Sequence, residues 1–170
     1  LVGSEMCIRD RCQKGCSRIL MIRDYRMAST IQQRRDGFLN ALTEYGRSCG
    51  GDFELTILPD YKLAKEKVRE FLSEKGCCFD GIFTTNDMMA LGAMHALAEA
   101  GYSVPGQVKI VGFDNVSLSE FCNPPMTTIA QDTEQMALAA GEALLRLIRK
   151  EPIAQKEYVV SVRLEVRSTT

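Results

Sequence analysis

Gly81-Ile-Phe-Thr-Thr-Asn-Asp-Met-Met-Ala-Leu-Gly92 decides the fold class of this chain. Its first five residues are an apolar run rich in β-branched and aromatic side chains, short enough for a buried strand. Asn86 and Asp87 follow at once and suit a helix start, because a short polar side chain can accept the unpaired amides of a first helical turn. The helix they open carries Leu91, Met94, Leu97 and Ala98 and stops at Gly101. Strand, cap and helix without a spacer make one half of a βαβ unit.

The same grammar runs outward in both directions. Upstream, Arg18-Ile-Leu-Met-Ile-Arg23 is a continuous apolar run, as expected of a strand covered on both faces. Ile31, Phe38, Leu39, Leu42 and Tyr45 then share a helical stripe. Phe53 to Leu58 reads as a second strand stopped by Pro59, and Asp60 caps a helix burying Ala64, Val68, Phe71 and Leu72. Downstream, Val108 to Phe113 is a fourth strand, followed by a long loop holding Pro124-Pro125. Asp132-Thr-Glu-Gln135 has the form of a capping box and opens a helix with Met136, Ala140, Leu144, Leu147 and Ile148 on one face. Tyr158 to Val162 alternates like a last strand. Strands separated by helices predict an α/β fold with a parallel β-sheet flanked by helices.

Composition narrows the possible functions. Hydrophobic residues make up 45% and charged residues 25%, and the formal charge is -1. That leaves no basic field for holding a phosphate backbone. The longest apolar stretches fall far below the roughly 18 residues that cross a bilayer, so no membrane partner is expected. Of the seven cysteines (Cys7, Cys12, Cys16, Cys49, Cys77, Cys78, Cys122) none forms a CxxC pair, and the single histidine, His95, has no cysteine at ligand spacing. No metal and no cofactor is expected, and free thiols fit a reducing cytoplasm. Catalysis is also unsupported: GxSxG, GxGxxG and GxxxxGK[ST] are all missing, and a carboxylate pair such as Asp87 and Asp114 is explained more simply by binding. Leu1 to Arg11 show no helical or strand period and resemble a translated sequencing-adapter sequence. They are expected to be non-native or disordered.

In an open parallel sheet, ligands sit outside the carboxyl ends of the strands. The residues there are Arg34 and Arg35, Tyr61 after Pro59-Asp60, Asn86 and Asp87, and Asp114 and Asn115. Carboxylates, an amide, a guanidinium fork and an aromatic ring together suit a polar, hydroxyl-rich ligand such as a sugar. The competing roles are structural: a helix cap for Asn86 or Asp87, a turn for Asp114.

Four segments resemble the LacI/GalR regulators in order and spacing. Arg34-Arg-Asp-Gly-Phe38 matches a family helix start, and Phe83-Thr-Thr-Asn-Asp-Met-Met-Ala-Leu-Gly-Ala-Met94 its "NDxxAxGxxxAL" segment. Val104-Pro-Gly-Gln-Val-Lys-Ile-Val-Gly-Phe-Asp114 is similar to "VPxDxxVxGFD", and Pro124-Pro-Met-Thr-Thr-Ile-Ala-Gln-Asp132 to "PPLTTIxQ". The resemblance implies a periplasmic-binding-protein-like (type I) core in which two lobes close on a small effector, a sugar or a similar metabolite. Residues 12–131 would be the C-terminal lobe, 132–157 a helix returning to a lobe outside this chain, and 158–170 a terminal strand and tail.

By motif position, Arg34, Asn86 and Asp114 would contact the effector, with Gln131 at the crossover between lobes and Tyr61 stacking on the ligand. The helix from Asn86 to Gly101 and the segment 117–121 would belong to a homodimer face. Leu91, Met94 and Leu118 would then meet the partner; the alternative for Leu91 and Met94 is internal core. Operator DNA would be bound only through an N-terminal helix-turn-helix that this stretch does not include. The alternative function is a sugar-binding receptor of an ABC transport system, against which seven cysteines argue in an oxidising periplasm.

Overall fold

Ile19–Asp24 (β1), Glu54–Ile57 (β2), Gly81–Thr84 (β3), Lys109–Asp114 (β4), Thr127–Gln131 (β5) and Val162–Glu165 (β6) form one sheet in the order β2-β1-β3-β4-β5-β6. The first five are parallel and β6 runs antiparallel along β5. This computed structural model describes residues 3–26, 28–48, 50–153 and 157–170. Leu1 and Val2 of the leading segment, Cys49, and residues 154–156 of the returning segment lie outside the described residues.

Successive side chains of a strand point to opposite faces, and the sheet sorts its apolar residues accordingly. Leu20, Ile22, Ile82 and Ile110 face a core shared with Tyr61–Lys75 (α3) and Asp87–Glu99 (α4). Ile19, Met21, Phe83, Val111 and Phe113 face a second core, shared with Ser4–Gln13 (α1) and Ser29–Glu44 (α2). Continuous apolar strands are therefore needed: each alternate residue supplies a different layer. The α3–α4 contact is close enough that a β-carbon on Gly92 would stand 2.3 Å from the Tyr61 carbonyl oxygen.

The parallel order brings the carboxyl ends of β1, β3, β4 and β5 into line. Ile22 pairs with Thr84, Phe83 with Val111 and Asp114 with Ala130. Asp24, Thr85, Asp114 and Gln131 consequently stand along one edge.

The structure differs from the sequence reading in four places. The "long loop" after β4 holds a short helix, Ser117–Phe121 (α5), and the strand β5. Pro124-Pro125 masked that strand, yet Thr127, Thr128 and Ile129 are fully buried between β4 and β6. The last strand lies at Val162–Glu165 rather than at 158–162, and its antiparallel pairing makes the sheet mixed.

The leading segment is the third difference. Its described residues from Ser4 onward form α1, with Cys7 and Ile8 fully buried against the α2 side of the sheet. Finally, α2 begins at Ser29, so Arg34 lies within the helix instead of opening it.

Thr133–Ile148 (α6) is capped as its sequence predicts, with Asp132 Oδ1 accepting the Gln135 amide at 2.9 Å. None of its residues is buried; Leu138, Leu144, Leu147 and Ile148 are all more than half exposed. No helix among the described residues is long and apolar enough to cross a membrane.

Candidate functional site

Arg34 is the hub of the sheet's carboxyl edge. Its helix lies over Phe83 and Phe113 and lowers the guanidinium onto the strand ends, 3.6 Å above the Phe113 ring. Nη1 donates to the Thr85 carbonyl at 2.5 Å and Nη2 lies 3.4 Å from Asp114 Oδ1. Gln131 Nε2 donates to the same Asp114 oxygen at 2.8 Å. Three of the expected residues, Arg34, Asp114 and Gln131, are thus brought into one connected cluster from α2, β4 and β5.

Burial sets the electrostatics. Arg34 is 8% exposed, and burial lowers its pKa against the pull of Asp114. Burial raises Asp114 above the usual carboxylate range, more than Arg34 and Gln131 lower it. Arg34 Nε is buried without a hydrogen-bond partner. An incompletely satisfied guanidinium beside a half-open carboxylate offers donor and acceptor to a ligand hydroxyl.

Asn86 holds two roles at once. Its Oδ1 caps α4 by accepting the Met89 amide at 2.9 Å. That use leaves the Nδ2 amide as a donor at the same strand edge.

The other expected residues are placed elsewhere. The Tyr61 hydroxyl hydrogen-bonds His95 Nδ1, and the two rings meet edge to face on the α3–α4 side. Tyr61 thus contributes no bond to the Arg34–Asp114–Gln131 cluster. Arg35 is turned to β2, where Nε and Nη2 grip Glu54 at 2.9 Å. For Leu91 and Met94 the burial favours the internal-core alternative over a dimer contact. Each is 4% exposed, since α4 is buried between α3 and the sheet on most of its surface. Leu118 is different: on α5 it is 48% exposed, beside Phe121 at 77%.

Sequence reasoning placed Asp87 at the edge without seeing what it does. Its carboxylate accepts the Thr128 hydroxyl at 2.6 Å and the Val116 amide at 2.9 Å, so it ties α4 to β5 and to the turn after β4. Burial raises its pKa to about 6, although both hydrogen bonds pull it down. Phe113, which seats Arg34, was read only as a strand residue. The motif Gly112-Phe-Asp114 carried the signal, since an aromatic ring and a carboxylate side by side at a strand end can together hold a guanidinium.

A family model described as a periplasmic binding protein-like domain matches residues 11–170. The chain belongs to that family. Within this periplasmic binding protein-like family it is similar to the ribose operon repressor of Halalkalibacterium halodurans, at 28% identity over 99% of this chain and 50% of that protein. It is 30% identical to the HTH-type transcriptional regulator GalR of Escherichia coli, over 95% of this chain and 47% of GalR. Among solved structures, the transcriptional regulator CelR–cellobiose complex superposes with a TM-score of 0.92 at 26% identity, covering 99% of this chain and 51% of that one. The chain spans about half the length of the curated relatives it matches. The LacI/GalR resemblance and the type I α/β architecture therefore hold.

Proposed function

We propose that this chain is the effector-binding lobe of a LacI/GalR-type transcriptional regulator whose effector is a sugar. The observation that carries the reading is the Arg34–Asp114–Gln131 cluster at the open carboxyl edge of the sheet. A guanidinium with an unmatched Nε, a part-exposed carboxylate and two side-chain amides complement vicinal hydroxyls, which donate and accept in pairs. Tyr61 holds His95 through its hydroxyl, so any ligand contact it makes is through its ring. The relatives support the reading by their names, one a ribose operon repressor and one solved with cellobiose.

In this reading a second lobe, outside this chain, closes over the cluster, and residues 132–157 return to pack on it. The apolar face of α6 supports that, being without cover here. Effector binding shifts the open–closed equilibrium by differential affinity for the two states. Operator DNA is contacted by a further part of the full protein, a homodimer joined on the α5 face that carries Leu118, working in the cytoplasm without catalysis. Residues 1–11 are foreign to the lobe. Support for this comes from the polar groups that α1 buries unpaired.

The test is a thermal-shift screen of the full-length regulator containing this chain, with D-ribose and cellobiose in the panel. A bound sugar raises Tm by mass action. The parent is expected to respond to one sugar and Asp114→Asn to none. An unchanged response in Asp114→Asn, or turnover of the sugar, would contradict the proposal.

A further inference from the structure

Asp114 and Asn115 both have positive φ, 113° and 54°; Asn visits the left-handed region readily, but Asp114 lies beyond it and must be held there. Five side-chain bonds hold this turn, one of them from Ser119 Oγ to Asn115 Oδ1 at 3.4 Å. Asp87 takes the Val116 amide, and Thr128 Oγ1 takes the Asn115 amide at 3.3 Å. The other two come from the far end of the chain. Arg167 Nη2 donates to Asn115 Oδ1 at 2.8 Å, and Nη1 reaches Ser119 Oγ at 3.2 Å, whose hydroxyl in turn donates to the Val116 carbonyl at 2.7 Å.

Arg167 is itself fixed firmly. Its Nη1 also donates to the Met126 carbonyl at 2.8 Å, and its amide donates to Thr127 Oγ1 at 2.9 Å. The residues after it are locked in too: the Ser168 amide bonds the Pro125 carbonyl, and the buried Thr169 hydroxyl bonds the Ile110 carbonyl at 2.7 Å. One guanidinium therefore spans the segment before β5 and the turn that presents Asp114.

We propose that Arg167 is a positioning residue of the effector site: by forking between Asn115, Ser119 and Met126 it holds the left-handed turn that aims Asp114 at Arg34 and Gln131. This rests on the reading of Asp114 as an effector contact. Lysine cannot do the same work, because a point ammonium lacks the planar fork that reaches three acceptors at once. The tail's role is thus more than closing the sheet edge: it sets the geometry of a carboxylate on the other side of β5.

The experiment is NMR on the 170-residue chain and its Arg167→Met and Arg167→Lys variants. Three quantities are read: amide exchange at Asn115 and Val116, the titration of the Asp114 carboxyl, and amide shifts on adding D-ribose or cellobiose. Arg167→Met is expected to speed exchange at both amides by about tenfold, the worth of one charge-assisted hydrogen bond. It also moves the Asp114 titration toward the ordinary carboxylate range and weakens the sugar response, with Arg167→Lys recovering only part. A merely structural staple predicts instead that Ser168 and Thr169 loosen while Asn115, Val116 and Asp114 stay as in the parent. That result overturns the proposal.

If Arg167→Met does not fold, Asn115→Gly removes the same contact while tolerating the positive φ, and the same amides must loosen. Should the turn respond as expected while neither sugar shifts any amide of the parent, the positioning role stands and the sugar reading fails.

Discussion

Gly112 passes directly beneath the Asp87 carboxylate: a β-carbon on Gly112 would stand 2.1 Å from Asp87 Oδ1. Oδ1 cannot yield, because Thr128 donates to it from β5 while Oδ2 holds the Val116 amide. A strand glycine is thereby explained by a close approach rather than by a bend.

Gly112→Ala is therefore expected to cost about 3 kcal/mol, the range for overpacking a filled interior. Urea unfolding of the variant checks it. A stability within about 0.5 kcal/mol of the parent, as at an ordinary surface site, would show that the Asp87 carboxylate has room to move.

Asp87 also gives a pH signature. Its pKa is about 6 in the fold against 3.8 ordinarily, so between those values the folded chain holds a proton that the unfolded chain has lost. Stability from this group is full below about pH 3.8 and declines as pH rises to about 6, where burial of the charge is complete. Asp114 works in the same direction, whereas Glu54 and Asp80, both lowered, work oppositely. The difference in unfolding free energy between the parent and Asp87→Asn isolates the group. It should fall from about pH 4 to about pH 6 and then level off. A difference that is flat over this window contradicts the assignment.

Arg11 is the clearest misfit in the molecule. It is fully buried; the Asp10 carboxylate lies against Nη2, yet none of its three nitrogens makes a hydrogen bond. Burial depresses its pKa to about 10. Replacing such a group by an apolar one of similar length removes an unmet desolvation cost. Removing both members of the pair, Arg11→Met with Asp10→Ala, should raise stability by about 1–3 kcal/mol in urea unfolding. Destabilisation by the same pair of substitutions would mean that Arg11 is satisfied in solution, and would weaken the case that residues 1–11 are foreign.

The uncovered face of α6 makes a separate prediction. Leu144→Gln with Leu147→Gln removes two side chains, each 58% exposed, from that face. Sedimentation velocity should show weaker concentration-dependent association than in the parent, with unfolding free energy altered by no more than about 0.5 kcal/mol. A loss of stability well above that would place α6 against a surface of its own chain.

Most of the fold was legible because period and punctuation agreed. Asp60 and Asn86 cap α3 and α4 as their sequence positions suggest, and Val68 and Phe71 fill the face their spacing assigned. What escaped was non-local. β5 looked like a loop because two prolines precede it, and only pairing on both sides makes Thr127-Thr-Ile129 a buried strand. Helix α1 has no amphipathic period, and its place comes from a cradle that α2 and the sheet provide. Arg34, Asp114 and Gln131, singled out by motif position, stand together because strand order fixes the carboxyl edge. Motif position could not foresee that His95 engages Tyr61, nor that Arg167 reaches Asn115 across 52 residues of sequence.

By the proposal above, this lobe carries half of a sugar site, centred on Arg34 and Asp114. The most direct measurement is a 15N-correlation NMR titration of the 170-residue chain with D-ribose and cellobiose. Weak, millimolar-range shifts are expected, clustered on the amides of Arg34, Asn86, Asp114 and Gln131 and abolished by Asp114→Asn. Tight binding by this chain alone, or shifts that avoid those four amides, would contradict the proposal.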